Sequence, residues 1–536
     1  MRTILLLLPV FVVLASAQPD TAWVRKYDSP ASDDDWGAHL AIDAHDRLIV
    51  AGSSDHNPDP DIANFDFLTV EYDNQGRRLW VSRYNGPGND QDSVVAVSVD
   101  SSGNVYVAGS SWGTGTAYDF ALVRYDSAGS QRWVARYAGD SGSANDFVKG
   151  MCIDSSGCAY LTGPSWRGDS AQDDYATVKF NRSGARMWAT SYGGLESASS
   201  DKAYAVAVDH HSSVFVTGSS GLYPNYDAVT VKYDSLGQEV WVARYVGLVD
   251  TSRDEGHAIL PDEDGGAYVA GWSGVDPNYD YFIIHYDSTG DSVWADRYDG
   301  PGHLQDRARI LARDASGNLY VSGAGIRYDP LDYGYVTIKY TSTGVRRWVA
   351  RYDGCSYFQD GATAIAFDSA DNVYVTGGSE SNVTNFDFAT VKYDTSGNQC
   401  WALRYTNSGD FCEIATGVVL DSRGNVYVAG EGCYGDAPPW YDIILIKYGE
   451  PNAVNERPPT GAARLSLPVQ TVVRTTLTIE DPRLTILSDI TGRSVAGLHL
   501  GANDVSRLAP GVYFVCEDPE SSRHRSLAVR KVVLTW

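Results

Sequence analysis

Apolar and polar residues alternate in short runs along most of the chain, as residues 92–137 illustrate. Residues 94–99, 105–108, 118–125 and 133–137 are rich in β-branched and aromatic side chains, and Asp, Ser, Gly and Asn fill the intervals. Short runs of this kind, bounded by turn formers, are typical of strands joined as hairpins. No segment shows the 3.6-residue period of an amphipathic helix. The pattern therefore predicts an all-β protein built from a unit of four antiparallel strands.

A tryptophan opens the fourth run of each unit and recurs every 53 to 57 residues. These tryptophans are Trp23, Trp80, Trp133, Trp188, Trp241, Trp294, Trp348 and Trp401. A fixed period of this size indicates a repeat architecture, and four-stranded units repeated radially are the blades of a β-propeller. A large aromatic residue at a periodic position is expected to pack between neighbouring blades rather than to bind a ligand.

The two ends of the repeat region complement each other. The region starts with a tryptophan-bearing strand at residues 23–27 and ends with a third strand at residues 441–448 that no tryptophan strand follows. Pairing the first strand with the last would complete the final blade and protect both sheet edges. We therefore predict an eight-bladed β-propeller over residues 22–448, closed by its N-terminal strand.

Several motifs recur in register, among them VAVSVDSSGNVYVAG, FATVKYDTSGN and the pattern YDSxGxxxWVARY. They resemble the beta-propeller repeat family SBBP over residues 23–448, which implies a propeller, although the family's name presumes seven blades. The pattern is also similar to NHL-type propellers and to the docking element of quinoprotein propellers. The chain lacks the adjacent cysteine pair and the inserted loops of quinoprotein dehydrogenases, and we expect no cofactor.

Residues 1–17 predict a signal peptide, because Arg2 precedes an apolar stretch and the small residues Ala15, Ser16 and Ala17 follow it. No later stretch approaches ~18 consecutive apolar residues, so no transmembrane segment is expected in the mature chain. The net charge of −26 argues against nucleic acid as a partner. We expect a protein that is secreted or held at the outer cell surface.

The C-terminal part reads as a separate module. Residues 449–461 are rich in Pro and Asn and predict a linker, and residues 462–536 show strands and turns without the repeat. The stretches SDITGRSV (488–495), LAPGVYFV (508–515) and the terminal RKVVLTW resemble the C-terminal sorting domain of type IX secretion substrates. That resemblance implies a small β-sandwich that engages the secretion machinery; a plain accessory β-domain is the alternative.

Seven cysteines in an exported chain allow disulfides but not a dense framework. Cys412 and Cys433 flank the ends of two strands expected to pair, so they form the first candidate bridge. Cys152 and Cys158 straddle one tight turn and form the second. No Cys/His cluster has zinc-ligand spacing.

Two acidic positions recur in register, one at the start of the first strand and one near the start of the third. The first-strand acids are Asp35, Asp92, Asp146, Asp201, Asp254, Asp306, Asp360 and Glu413. The third-strand acids are Asp66, Asp119, Asp174, Asp227, Asp280, Asp387 and Asp442, with Gly334 as the exception. First and third strands of an antiparallel sheet run the same way, so both sets are predicted at one edge.

Three interpretations of these acids are open. They accept backbone hydrogen bonds and fix the turns before the strands. Alternatively they bind calcium, although no run matches the DxDxDG loop. In the third interpretation, like charges converging at the mouth of a central channel hold a cationic or polyhydroxylated ligand, and their repulsion raises some carboxyl pKa values.

Four tryptophans outside the periodic set, Trp112, Trp166, Trp272 and Trp440, are the predicted ligand anchors. The loops of residues 53–64, 164–173, 324–332 and 431–440 differ in length, and varied loops on a rigid scaffold suit recognition. Evenly spread acids do not form the isolated pair that glycoside hydrolysis needs, and no Ser-His-Asp arrangement is recognisable. We predict a non-enzymatic scaffold that binds an extracellular protein or glycan; a structural surface protein and a channel-sited hydrolase or lyase are the alternatives.

Overall fold

Short β-strands form the regular structure of this protein in the computed structural model, and no helix occurs among its described residues. The structure describes residues 19–449 and seven strands between residues 471 and 534. Gaps in the first range fall at residues 30–33, 56–63, 140–143, 168–172, 195–198, 248, 250, 328–332, 355–359, 381–385, 407–411 and 435–439. The predicted signal peptide lies outside the described residues. The all-β prediction is confirmed.

The strands of residues 19–449 form four-stranded antiparallel sheets, here numbered in chain order. Sheet 1 contains β2 (Asp35–Ile42), β3 (Leu48–Asp55), β4 (Phe65–Tyr72) and β5 (Arg78–Tyr84). Sheet 2 contains β6 (Asp92–Val99), β7 (Val105–Trp112), β8 (Tyr118–Tyr125) and β9 (Gln131–Tyr137). Sheet 3 contains β10 (Gly150–Ile153), β11 (Ala159–Trp166), β12 (Asp173–Phe180) and β13 (Arg186–Tyr192). Sheets 4 and 5 contain β14 (Ser200–Val208), β15 (Val214–Leu222), β16 (Asn225–Tyr233) and β17 (Glu239–Tyr245); and β18 (Arg253–Pro261), β19 (Ala267–Val275), β20 (Asn278–Tyr286) and β21 (Ser292–Tyr298).

Sheets 6 and 7 contain β22 (Asp306–Arg313), β23 (Leu319–Ile326), β24 (Tyr333–Tyr340) and β25 (Arg346–Tyr352); and β26 (Asp360–Phe367), β27 (Val373–Glu380), β28 (Phe386–Tyr393) and β29 (Gln399–Tyr405). Sheet 8 contains β30 (Glu413–Leu420), β31 (Val426–Tyr434), β32 (Trp440–Tyr448) and the N-terminal strand β1 (Thr21–Tyr27), which pairs antiparallel with β32. One parallel bridge, between Tyr226 and Arg253, links sheets 4 and 5.

In sheet 2 the first and fourth strands begin two residues before the predicted runs, and the largest difference is at the end of the second strand. In sheet 2 the prediction stopped at residue 108, whereas β7 continues to Trp112. Gly109, Ser110 and Ser111 are turn formers by composition, but here they pair with β8, and Trp112 pairs with Tyr118. Cross-strand hydrogen bonding thus outweighs local propensity, and the loop that follows is shorter than predicted.

Apolar cores lie between consecutive sheets. Each core cluster among the described residues draws its side chains from two neighbouring sheets, for example Phe120 of sheet 2 with Leu161 of sheet 3. One cluster joins sheet 8 to sheet 1 and contains Tyr72, Leu445 and Tyr427. The backbone N–H of Gly37 in sheet 1 also donates to Glu431 Oε2 in sheet 8, at 2.6 Å.

Five of the periodic tryptophans form a hydrogen bond from one sheet to the next. Trp241 Nε1 in sheet 4 donates to the carbonyl oxygen of Ser288 in sheet 5 at 3.1 Å, and four other tryptophans make the equivalent bond. The indole ring of Trp241 lies against Gly290, where a Cβ would sit 2.9 Å from the ring and φ is +90°. Only glycine fits such a turn. These tryptophans are therefore packing residues, as their period predicted.

The chain divides into two compact units, residues 1–453 and 454–536, so the division falls within the predicted linker. The described strands of the second unit are β33 (Thr471–Val473), β34 (Thr476–Ile479), β35 (Leu484–Asp489), β36 (Ser494–Gly497), β37 (Gly501–Asp504), β38 (Gly511–Glu517) and β39 (Arg530–Leu534). They form a five-stranded sheet in the order β33, β39, β38, β35, β36, and a two-stranded sheet of β34 and β37. None of the described residues form a helix able to cross a bilayer.

Candidate functional site

The two sets of acids lie in one row across each sheet. In sheet 2, Asp92 pairs with Ser111 of the second strand, and Ser111 pairs with Asp119 of the third. The same register joins Asp254, Ser273 and Asp280 in sheet 5. The two acidic positions therefore share one edge of the sheets, as the strand directions predicted.

The first-strand acids are buried and accept hydrogen bonds from the turn that precedes them. Asp92 accepts from the backbone N–H of Gly86 at 2.6 Å and from that of Trp112 at 3.0 Å. The same turn bond reaches Asp35 from Ser29, Asp201 from Gly194, Asp254 from Gly247 and Asp306 from Gly300. Asp146 and Glu413 are equally buried, and the side chain of Asp360 lies outside the described residues.

Burial raises the pKa of Asp35 and Asp306 to about 7 and the pKa of Asp92 to about 6. None of the described first-strand acids is more than 2% exposed. Buried carboxyl groups bonded to backbone amides cannot form a free ring of charge for a ligand. For these five acids the geometry favours the first interpretation, in which the carboxylate fixes the turn before its strand.

Four third-strand acids form an ion pair with an arginine of the fourth strand in the same sheet. Asp119 pairs with Arg136 of the fourth strand at 2.8 Å, and Arg136 also donates to Ser111 Oγ. Equivalent pairs join Asp227 to Arg244, Asp280 to Arg297 and Asp387 to Arg404. In sheet 3, where the fourth strand carries Ser191, Arg167 from the neighbouring loop pairs with Asp174 instead. Asp66 and Asp442 are placed likewise, Asp442 beside Lys26.

Gly334 explains the missing acid of sheet 6. A Cβ at Gly334 would lie 2.0 Å from Asp353 Oδ1, and Asp353 pairs with Arg351 of the fourth strand at 3.7 Å. The carboxylate has thus moved from the third strand to the residue after the fourth. The ion pair is kept, which shows that these acids serve the sheet.

One group of carboxylates has the spacing for a cation. Oxygen atoms of Asp280, Asp299 and Asp306 lie within 4.8 Å of one another. Asp280 and Asp306 already pair with Arg297 and Gly300, respectively. Calcium binding stays a prediction with these three residues as its best place.

The predicted tryptophan anchors have different surroundings. Trp166 is 37% exposed at the end of β11. Trp112 is half-buried and packs edge-on against Tyr118 with ring centroids 5.0 Å apart. Trp272 is 5% exposed and covered by Arg253 and Arg307, so it offers no free ring face, contrary to the prediction. The side chain of Trp440 lies outside the described residues.

The predicted disulfides are absent, because all four cysteines are free thiols. Cys433 does lie beside Cys412, whose carbonyl oxygen accepts its backbone N–H at 3.1 Å. Cys152 pairs with Tyr160 rather than with Cys158, whose thiol contacts Ser156 Oγ at 3.3 Å. The strand register therefore keeps Cys152 and Cys158, the second candidate bridge, apart.

The residues one and three places after each first-strand acid differ from sheet to sheet, and we call them the variable first-strand positions. One place after the acid stand Trp36, Ser93, Phe147, Lys202, Glu255, Arg307, Gly361 and Ile414. Three places after it stand Ala38, Val95, Lys149, Tyr204, His257, Arg309, Thr363 and Thr416. Sequence reasoning searched for what recurs and missed these residues; aligning the units on the acid would have found them.

An open groove lies at these positions in sheets 8, 1, 2 and 3. It consists of two adjoining cavities of about 350 and 450 Å³, which share Gln91, Ser93 and Tyr118. Its aromatic residues are Trp36, Phe65, Tyr118 and Phe147, and we call it the aromatic groove. Trp36 is 43% exposed and meets Phe65 edge-on at 5.8 Å.

Sheets 4 and 5 carry a stacked polar cluster at the same positions. Buried Glu255 accepts from Arg253 Nε at 2.8 Å and lies 3.0 Å from His257 Nε2. The His257 ring stacks on Tyr204 with centroids 4.6 Å apart. Burial raises the pKa of Glu255, but His257 and Arg253 outweigh it, and the net pKa lies below its usual value.

Comparison with known proteins agrees with this architecture. Residues 80–115 match the SBBP family, described as a beta-propeller repeat. An uncharacterized WD repeat-containing protein of Acanthamoeba polyphaga mimivirus is 21% identical, over 74% of this chain and 35% of its own length. The chain thus spans little more than a third of that relative. Together with the four-stranded sheets, these matches indicate a β-propeller repeat protein.

The similar solved structures share little sequence with the chain. Sqt1 of Chaetomium thermophilum is 9% identical with a TM-score of 0.48, covering 81% of this chain and 99% of Sqt1. PorZ, a surface component of the type IX secretion system of Porphyromonas gingivalis, is 12% identical with a TM-score of 0.29, covering 93% and 81%. At these scores the likenesses carry no conclusion about function.

Proposed function

We propose that the protein is an exported, eight-bladed, closed β-propeller that acts as a non-enzymatic binding scaffold. The closed ring is supported by the apolar cluster between sheets 8 and 1, which matches those between the other consecutive sheets. Pairing of β1 with β32 lets the chain's first strand complete its last sheet. A ring of this kind has only short, protected sheet edges.

The aromatic groove is the observation that carries the binding role. Trp36 stands exposed where the other sheets carry smaller or charged residues, and it is joined by Phe65, Tyr118 and Phe147. Polar groups for orientation are supplied by Gln91 and Ser93. Flat aromatic faces beside a few hydrogen-bonding groups suit the apolar face and hydroxyl edge of a sugar ring, so a glycan is the favoured ligand.

The binding role is tested on the full chain with a panel of oligosaccharides and a panel of secreted proteins. A Trp36→Ala substitution should weaken binding about thirtyfold, since truncating a central aromatic anchor costs about 2 kcal/mol. Trp166→Ala is the matched control, because Trp166 is almost as exposed but lies outside the groove. Equal losses in both variants, or no ligand on either panel, would contradict the proposal, and the second result would favour a structural surface protein.

The proposal of export and sorting is based on the sequences of the N-terminal and C-terminal segments. Residues 1–17 would direct export, and residues 462–536 would engage the type IX machinery. In a host with that machinery, removing residues 462–536 should leave the propeller in the periplasm, while the full chain reaches the surface or the medium. Identical fractionation of both would contradict a sorting role.

An enzymatic role has one observation in its favour. Glu255 and His257 form a hydrogen-bonded acid–imidazole pair at positions where the other sheets have no such pair. A hydrolase or lyase using this pair would lose turnover completely in His257→Ala and keep it in Tyr204→Phe. Absence of turnover on every glycan that binds would leave the scaffold role.

A further inference from the structure

Arg307 is a fixed cation without a described acceptor. Its guanidinium lies over the rings of Trp272 and Tyr279, 5.2 and 5.1 Å from their centroids. Its Nε is buried and has no hydrogen-bond partner among the described residues. Stacking on two aromatic faces holds the planar group in one orientation. A guanidinium with no carboxylate partner can pair with the carboxylate of a ligand through its outer N–H groups.

Arg253 also stacks on Trp272, but its positive charge is compensated by a carboxylate. Its guanidinium lies 5.3 Å from the Trp272 centroid, but it also pairs with Glu255 at 2.8 Å. Arg307 has no such pair among the described residues. Two cations share one indole ring, and only one of them is neutralised. Because Arg307 lacks the carboxylate partner that Arg253 has, it is available for the anionic group of a ligand.

Arg307 lines a cavity of about 300 Å³ formed by residues of sheets 6, 7 and 8. Exposed Arg309 lines the same cavity, two residues further along β22. Phe386 and Ile414 form an apolar wall. Gly361 also lines the cavity, and a Cβ at this position would meet only Ala324, at 3.7 Å. A cavity with positive charge on one side and apolar surface on the other favours a ligand that has both a negatively charged group and an apolar face.

We propose that this cavity binds a carboxylate-bearing sugar, the hexuronic acid residue of an acidic polysaccharide. The guanidinium of Arg307 offers two parallel N–H groups, which match the two oxygens of a carboxylate. Arg309 adds a second positive charge, and the apolar wall takes the face of the pyranose ring. The site is separate from the aromatic groove and does not depend on it.

The test is calorimetric titration of the full chain with tetragalacturonate and with its fully methyl-esterified form. The ester keeps the rings and removes the charges, so the acid should bind at least about tenfold more tightly. Arg307→Gln should lose this preference, and Arg309→Gln, at an exposed position, should reduce it without affecting folding. Arg313→Gln is the matched control, because Arg313 is exposed at the far end of the same strand.

Equal affinity for acid and ester, or an unchanged preference in both Arg307→Gln and Arg309→Gln, would overturn the proposal. Equally tight binding of pentaglutamate would assign the site to acidic peptides instead. The Trp36→Ala variant must keep the uronate preference. Loss of neutral-glycan binding in Trp36→Ala with retained uronate binding would support both sites. Unchanged neutral-glycan binding would reject the aromatic groove alone, and loss of the uronate preference would reject the separate uronate site alone.

Discussion

The first-strand acids and the variable first-strand positions that follow them are near neighbours in the sequence of every sheet, yet they behave in opposite ways. Every sheet has a carboxylate at the acid position; the described ones are buried, and five of them accept a hydrogen bond from a backbone N–H. Two of the residues after them, Trp36 and Arg309, are exposed and differ completely in chemistry. Periodic residues build the sheets and their contacts, while non-periodic residues at the same edge set what the protein binds.

The variable positions themselves divide into two arcs. Sheets 7, 8, 1 and 2 carry no charged residue there, whereas sheets 3 to 6 carry Lys149, Lys202, Arg307 and Arg309 against one acid, Glu255. This concentration of positive charge stands out in a chain of net charge −26. The uncharged arc contains most of the aromatic groove, and the charged arc contributes the arginines of the uronate cavity.

The largest expected effect is the loss of a periodic tryptophan. Trp241→Ala should lower the free energy of unfolding by about 3–5 kcal/mol, because a large ring packed between two sheets is replaced by a cavity. Trp166→Ala, at an exposed non-periodic position, should change it by less than about 0.5 kcal/mol. Urea unfolding followed by fluorescence measures both. Similar losses of unfolding free energy in the two variants would contradict the distinction between the periodic residues that build the sheets, here called framework residues, and the non-periodic ones.

A smaller loss is expected from a third-strand acid. Asp119→Ala leaves the half-buried Arg136 without its carboxylate and should cost about 1–3 kcal/mol. Arg132→Ala removes the exposed pair with Asp126 and should cost less than about 0.5 kcal/mol. Should the exposed pair prove as costly as the buried one, the third-strand acids would not be framework residues.

Stability should rise as the pH falls from 8 to 5. Burial raises the pKa of Asp35 and Asp306 to about 7 in the folded state, above the ordinary value of 3.8. Between these values the folded protein binds more protons than the unfolded chain, so this contribution is lost as the pH rises through 7. Asp306→Asn should reduce the rise in unfolding free energy between pH 8 and pH 5 by about 2–3 kcal/mol, because one pKa unit corresponds to about 1.4 kcal/mol. A melting temperature that falls from pH 8 to pH 5 would contradict the assignment.

The smallest effect is expected from metal removal. The first-strand acids have backbone partners, so melting curves with and without a chelator should superimpose. A chelator-induced fall in melting temperature that Asp299→Ala abolishes would instead place a structural cation at Asp280, Asp299 and Asp306.

Sequence was sufficient for the features that depend on local pattern. Alternation located the strands, and the tryptophan period identified the packing residues. The row formed by Asp92, Ser111 and Asp119 followed from strand direction alone.

The rest required contacts between sheets. Trp272 looked like a free anchor, but Arg307 of the next sheet covers it. Arg307 was missed because its importance lies in an unpaired N–H that only the packing reveals. The end of β7 was missed because its glycine and serines resemble a turn until the neighbouring strand is considered.

The division between framework and variable positions is tested most directly by the double variant Trp36→Ala/Arg309→Gln, one exposed residue from each arc. Urea unfolding and titration with neutral and uronate oligosaccharides are measured on the same sample. We predict a free energy of unfolding within about 1 kcal/mol of the wild type, together with weaker binding of both ligands. A loss of several kcal/mol, or unchanged binding, would contradict the account.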